Sequence, residues 1–209
     1  MLIFARHGET VAGVEGRFEG FSDSPLTEKG KKQAELLGEY LKNKKSLKIL
    51  VSPRGRAVAT ARIVAGILGI DFQIDERLIE VCYGSWETKK INTLKDFPLW
   101  KQREEDFFRF RHPGFYHTFP GESYEDLYQR LLPVFSELEN LNQAVILIAH
   151  SGVLRCARRF FEKIDDDTFK KSKFPNSVFF SIEKENGEYV ASLFDIAENR
   201  MLYNKKVKR

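Results

Sequence analysis

Short β-branched runs alternate with longer helical stripes along most of this chain, and that alternation leaves few architectures open. Residues 2–5, 47–51, 72–74, 144–149, 178–182 and 189–194 have the length and composition of buried strands. Between them, apolar residues recur at helical spacing. Thr27 is expected to cap a helix carrying Ala34, Leu37 and Leu41. Ser52 followed by Pro53 is expected to open another, through Ala57, Ala61, Val64 and Leu68. Ser123 with Asp126 resembles a capping box ahead of Leu127, Leu131, Val134, Leu138 and Leu141, with Pro133 kinking the helix. A further helix follows His150, through Val153, Leu154, Ala157 and Phe160. The pattern predicts an α/β fold, a three-layer α/β/α sandwich on a mostly parallel mixed sheet of about six strands. A hairpin turn at Asn186-Gly187 makes one strand near the C-terminal end antiparallel.

The 209 residues read as a single domain, 1–209, with an insertion at roughly 87–121 that breaks the alternation. That stretch carries Trp100, Phe107, Phe108, Phe110, Phe115, Tyr116 and Phe119, with a short helix expected over 93–108. In a sandwich such an insertion lies outside the layers, as a cap over one end of the sheet. The formal net charge of +4 mildly favours anionic ligands and is too small for a nucleic-acid binder. No apolar run approaches a membrane span, and the apolar start lacks the basic flank of a signal peptide, so the expected address is cytoplasmic. The basic end, Lys205-Lys206-Val207-Lys208-Arg209, reads as a solvated, frayed tail. Cys82 and Cys156 read as two unrelated core thiols.

The residues just past the strands carry the functional signal. The first strand runs into Arg6-His7-Gly8-Glu9-Thr10, the second into Ser52 with Arg54 and Arg56 close behind, and the strand 144–149 into His150-Ser151-Gly152. Parallel strands bring their carboxyl ends to one edge, where loops and helix N-termini meet. Two imidazoles and several guanidinium groups would converge there. Phosphoryl transfer without a metal needs such a set: a nucleophile, cationic donors for phosphate oxygens, and an acid for the leaving oxygen.

Arg6-His7-Gly8-Glu9-Thr10 also resembles the RHG motif of the histidine phosphatase superfamily, the phosphoglycerate-mutase-like proteins. Residues 16–27 are similar to that family's GRxQGxxDxPLT stretch, and Arg56 to Ala61 to its RAxxTA element. Residues 78–87 resemble its LxExxxGxWEG segment, Pro120-Gly121-Glu122-Ser123 its PGGES element one glycine short, and His150 to Arg155 its second-histidine motif. The resemblance implies that His7 is the nucleophile and becomes phosphohistidine, with Arg6, Arg56 and His150 forming the phosphate pocket. Glu80 would protonate the leaving alkoxide and later take a proton from water. Ser151, Thr10, Gly13 and Arg17 are further candidates for phosphate or substrate contact, and Arg155 is expected to be structural or to support the residues that make such contact. No metal or cofactor is expected, and His112 and His117 read as ordinary loop histidines.

Two departures from the family pattern bear on activity. Val11-Ala12-Gly13 stands where the family has an asparagine, so one phosphate donor is missing, and the Gly13 N–H is a candidate replacement. Glu80 is followed by Val81 and Cys82 rather than by basic residues, which favours water over a phosphoglycerate as acceptor. The expected activity is therefore that of a phosphomonoesterase on a small phosphorylated metabolite, with α-ribazole phosphate as one candidate. Phosphoglycerate-mutase-type transfer and a catalytically weak module that binds phosphorylated ligands are the alternatives. The aromatic insertion, with Arg109 and Arg111, is expected to select an aromatic or nucleoside-like leaving group. The expected partner is a small phosphomonoester, with neither nucleic acid nor membrane; a homodimer is compatible with the sequence.

Overall fold

The computed structural model describes residues 1–44, 47–185 and 188–207. Strand β1 (Leu2–Arg6) leads through a single turn, α1 (Val11–Val14), to α2 (Glu28–Leu41). Then come β2 (Leu47–Val51), α3 (Gly55–Leu68) and β3 (Phe72–Ile74). The following stretch is mostly tight turns, with α4 (Pro98–Glu105) and a small hairpin of β4 (Phe115–Tyr116) and β5 (Phe119–Pro120). Next are α5 (Tyr124–Glu139), β6 (Ala144–Ala149), α6 (Ser151–Glu162) and α7 (Asp166–Lys171). Three strands close the chain: β7 (Val178–Glu185), β8 (Glu188–Asp195) and β9 (Arg200–Val207).

The main sheet has seven strands in the order β3-β2-β6-β1-β7-β8-β9. The first four in that order are parallel, and β7, β8 and β9 each pair antiparallel with the preceding neighbour. The strand period of two splits β1 between two cores. Leu2 and Phe4 face a cluster with Leu127, Leu131 and Phe135 of α5 and Val153, Ala157 and Phe161 of α6. Ile3 and Ala5 face the other way, onto Leu37 and Leu41 of α2 and Ala57, Ala61 and Val64 of α3. These are the three layers the alternation predicts.

Local chemistry explains most element ends. Thr27 caps α2, accepting a bond from the Gly30 N–H at 3.0 Å. Ser123 and Asp126 form the full reciprocal capping box at the start of α5. Helix α5 continues through Pro133, whose exposed position leaves the unpaired backbone carbonyl of its turn to water.

Four expectations need correction. The sheet gains β9, because an edge strand paired on one side only tolerates the polar and basic residues that masked it in sequence. The C-terminal segment is thus not a frayed tail as far as Val207: Lys205 pairs with buried Glu162 and Lys206 with Glu188. Helix α3 starts at Gly55 with Arg54 as its cap residue, so Ser52 does not cap it. The insertion helix is α4, shorter than expected, because Pro98 suits only the first turn of a helix. The Asn186-Gly187 turn lies outside the described residues, while β7 and β8 pair as anticipated.

Removing the capping hydroxyl by Ser123→Ala is expected to lower unfolding free energy by about 1 kcal/mol. Urea denaturation checks this; an unchanged midpoint would mean that Asp126 alone secures the helix start.

Candidate active site

Strands β1, β2 and β6 are parallel neighbours, so their carboxyl ends open on one edge. The His7 N–H donates to the Ala149 carbonyl at 2.9 Å and the Ser52 N–H to the Ile148 carbonyl at 3.1 Å, which carries both ladders one residue beyond the strands. His150 follows β6 directly and is the cap residue of α6. The two imidazoles are buried, with ring centroids 5.2 Å apart at an interplanar angle of 61°.

Arg56 joins them. Its Nε donates to His7 Nε2 at 3.2 Å and its Nη2 to His150 Nδ1 at 3.2 Å. The rest of the guanidinium is collared by the backbone carbonyls of Glu19, Gly20 and Ser22 at 2.7–3.0 Å and by Asp23 Oδ1 at 3.1 Å. Thr60 ties this residue to β1: its Oγ1 donates to the Arg56 carbonyl at 2.8 Å and accepts the Gly8 N–H at 3.0 Å. Gly8 has no side chain because a Cβ there would run into the Gly30 carbonyl at the start of α2.

These bonds set both tautomers. His7 Nδ1–H donates to its neighbour's carbonyl, Gly8 O, at 2.8 Å, which leaves the lone pair on Nε2. His150 accepts at Nδ1, so its Nε2–H donates to Ser52 Oγ at 2.6 Å. Burial holds both imidazoles well below their usual range, and the charge of Arg56 adds to it.

Glu80 lies in the same pocket, with its carboxylate accepting the Gly152 N–H and its own neighbour's N–H, Val81, both at 2.9 Å. A Cβ on Gly152 would collide with Glu80 Oε1, so glycine at that position admits the acid. Burial raises the Glu80 carboxyl above the usual range, against the pull of its two N–H bonds and of Arg56 and Arg155.

The remaining candidates divide. Arg6 and Ser151 line the cavity beside His7; Arg6 Nη1 donates to the Phe174 carbonyl at 2.9 Å. Thr10 is buried and does not line it: its hydroxyl caps α1 and donates to Glu19. Gly13 lines the cavity, yet its N–H is taken by Thr10 Oγ1 at 3.1 Å, so it is not a spare donor. Arg17 reaches the rim, where it donates to the Thr88 carbonyl. Arg155, expected to be structural, also lines the cavity.

Sequence reasoning missed two supports. Ser52 looks like a helix cap because proline follows it, and no local signal marks it as a partner of His150. Glu87 lies inside the segment 78–87, and its buried carboxylate accepts the N–H groups of Gly20, Phe21, Ser22 and Tyr83 and the Ser22 hydroxyl. It fixes the loop whose carbonyls collar Arg56.

The cavity has a volume of about 350 Å³. Most of the insertion's aromatic rings do not face it. Trp86 stacks on Trp100 and Phe110, and His112 sits edge-on among Phe18, Tyr83, Trp86 and Phe110. His112 is therefore a core residue, held down to about 4 by burial. Arg109 and Arg111 pair with Asp166 and Asp126, away from the cavity. Of residues 100–119, those that line it are Arg103, Glu104 and Phe107.

The model of the histidine phosphatase superfamily (branch 1) matches residues 2–196. The chain belongs to this superfamily. It is 34% identical over 164 residues to human 6-phosphofructo-2-kinase/fructose-2,6-bisphosphatase 4, covering 77% of this chain and 32% of that protein. The chain thus spans about a third of the length of such relatives. Among solved structures, the α-ribazole phosphatase of Shigella flexneri superposes with a TM-score of 0.74 at 25% identity, covering 90% of this chain and 92% of that one. Bacillus stearothermophilus YhfR matches at the same TM-score of 0.74 and 31% identity, covering 90% and 93%.

Three buried histidines with depressed pKa make stability pH-dependent. Below about 6.5 the unfolded imidazoles take up protons that His7, His150 and His112 refuse, so stability falls with pH by up to about 1.4 kcal/mol per unit for each. Glu80 works the other way, since its folded carboxyl keeps a proton above the usual range. The histidines outnumber it, so the urea midpoint is expected to drop between pH 7 and pH 5; a flat profile would contradict the neutral assignments.

Proposed function

We propose that this protein is a metal-independent phosphomonoesterase that passes a phosphoryl group through His7 to water. The observation that carries the reading is the Arg56 guanidinium bonded to both imidazoles, with the protonatable Glu80 beside His7 in the cavity wall. His7 Nε2 carries the lone pair and attacks phosphorus. As the ester enters, Arg56 exchanges its bond to Nε2 for bonds to the phosphate oxygens, joined by Arg6, and these cations balance the charge of the transferring phosphoryl, while the neutral His150, its N–H on Ser52, holds the Arg56 guanidinium in place. Glu80 gives its proton to the leaving alkoxide. In the second half-reaction the Glu80 carboxylate takes a proton from the water that attacks phosphohistidine.

The two residues after Glu80 favour water over a sugar-acid acceptor. Val81 and Cys82 are buried and do not line the cavity, so no cation stands there to hold a second substrate molecule. The substrate is a small phosphorylated metabolite, and the likeness to an α-ribazole phosphatase makes α-ribazole phosphate one candidate.

Rapid quench with a radiolabelled phosphomonoester in the presence of chelator tests the reading. An acid-labile protein phosphate that His7→Ala abolishes is expected, with inorganic phosphate released; an acid-stable adduct, or a phosphate moved between positions of a phosphoglycerate without release, would refute it. The pH profile of kcat/KM is expected to be bell-shaped. Activity falls at low pH as His7 gains a proton, and at high pH as Glu80 loses one. Glu80→Gln is expected to cost about 10²–10⁴-fold and to remove the alkaline limb.

A further inference from the structure

Strand β1 parts from its two neighbours at different residues. On the β6 side the pairing runs on as far as the His7 N–H, which donates to the Ala149 carbonyl. On the β7 side the antiparallel register ends with Ala5 opposite Phe179. Past that point the next backbone donor of β7 turns away, the Val178 N–H going to the Pro175 carbonyl at 3.0 Å. A strand neighbour therefore does not satisfy the His7 carbonyl, and a partly buried carbonyl needs a donor. A side chain supplies one: Asn176 Nδ2 donates to it at 2.7 Å.

That bond fixes more than one atom. The peptide between His7 and Gly8 is held at both edges, its carbonyl by Asn176 and its N–H by Thr60 Oγ1 at 3.0 Å. The next carbonyl along, Gly8 O, accepts the His7 Nδ1–H at 2.8 Å. Turning the first peptide would carry away the acceptor that orients the imidazole. Gly8 has no side chain to resist such a turn, so hydrogen bonds must do so.

The connection between α7 and β7 that carries Asn176 also holds two cations of the cavity wall. Its Phe174 carbonyl accepts Arg6 Nη1 at 2.9 Å, and its Ser172 carbonyl accepts Arg155 Nε at 2.8 Å. The connection is well anchored. The Phe174 ring is buried in the core, Pro175 fixes its own φ, and the Ser177 carbonyl accepts the Ile196 N–H at 3.0 Å. We propose that Asn176 is a positioning residue for phosphoryl transfer, its amide holding the His7–Gly8 peptide so that His7 Nε2 is aimed at phosphorus. This rests on the phosphatase reading and adds a residue to it. Asn176 does not line the cavity, so it acts through His7 rather than on the substrate.

Single-turnover phosphorylation of His7, followed by rapid quench, tests this in Asn176→Ala and Asn176→Asp. The second variant keeps the shape and, at pH 7, offers the carbonyl no proton. Both are expected to slow the step by about 10²-fold, the cost of misplacing a reacting group by about an ångström. Calorimetric affinity for inorganic phosphate is expected to hold, because the collar around Arg56 does not include residue 176. The proton resonance of His7 Nδ1–H, assigned by its loss in His7→Ala, is expected to shift or broaden in both variants. A purely structural role would lower the urea midpoint and leave rate and resonance as they were. An aspartate variant as fast as the wild type, or phosphate affinity falling as steeply as the rate, would also overturn the proposal. If the wild type forms no phosphohistidine, the phosphatase reading fails instead. The resonance then decides alone: a change in both variants supports the hold of Asn176 on His7, and an unchanged signal overturns it.

Discussion

A guanidinium buried among backbone carbonyls is the constraint on which the rest of this site depends. Arg56 is anchored by its position in the first turn of α3, and its side chain crosses to the ends of β1 and β6. Besides the two imidazoles, its partners are the neutral carbonyl dipoles of Glu19, Gly20 and Ser22, with the partly exposed Asp23 as the single carboxylate. Dipoles orient a charge without cancelling it, so the group keeps its field towards His7 and His150. The collar is itself held by Glu87, whose carboxylate gathers the N–H groups of Gly20, Phe21 and Ser22. A buried carboxylate thus shapes a loop, and the loop shapes the cation.

The same burial pushes two ionisable groups in opposite directions. His7 and His150 are kept neutral, because a charged imidazole would lack water and would face Arg56. Glu80 is kept protonated above its ordinary range for the first of those reasons. One pocket therefore holds imidazoles biased against taking a proton beside a carboxyl biased towards keeping one. The outer part of the cavity follows a different rule. There Arg103 and Lys170 share the Glu104 carboxylate, while Arg155 is bonded to the Ser172 carbonyl and the Tyr124 hydroxyl.

Much of this was legible in residue order. The runs at 2–5, 47–51 and 144–149 become parallel neighbours, and His7 and His150 follow the first and last of them directly, so the meeting of those two needs little beyond sheet handedness and strand direction. The capping residues Thr27 and Ser123 were equally readable, since each acts three residues along its own chain. Strand β9 was hidden because an edge strand needs no apolar alternation, and the insertion was misjudged because aromatic content does not say which way rings turn. Trp100 and Phe110 look the same on paper whether they stack on Trp86 or on a ligand.

The sequence by itself determined the layer order, the strand ends and which reactive side chains stand at them, because periodicity and chain direction are local properties that survive without the rest of the molecule. Tertiary structure alone decided what those side chains touch. Ser52 meets His150 98 residues away, and Glu87 reaches Ser22 across 65. Arg103 and Lys170 share a carboxylate from two separate helices. Such partnerships are set by how helices and loops pack after the sheet forms, and residue spacing carries no trace of them.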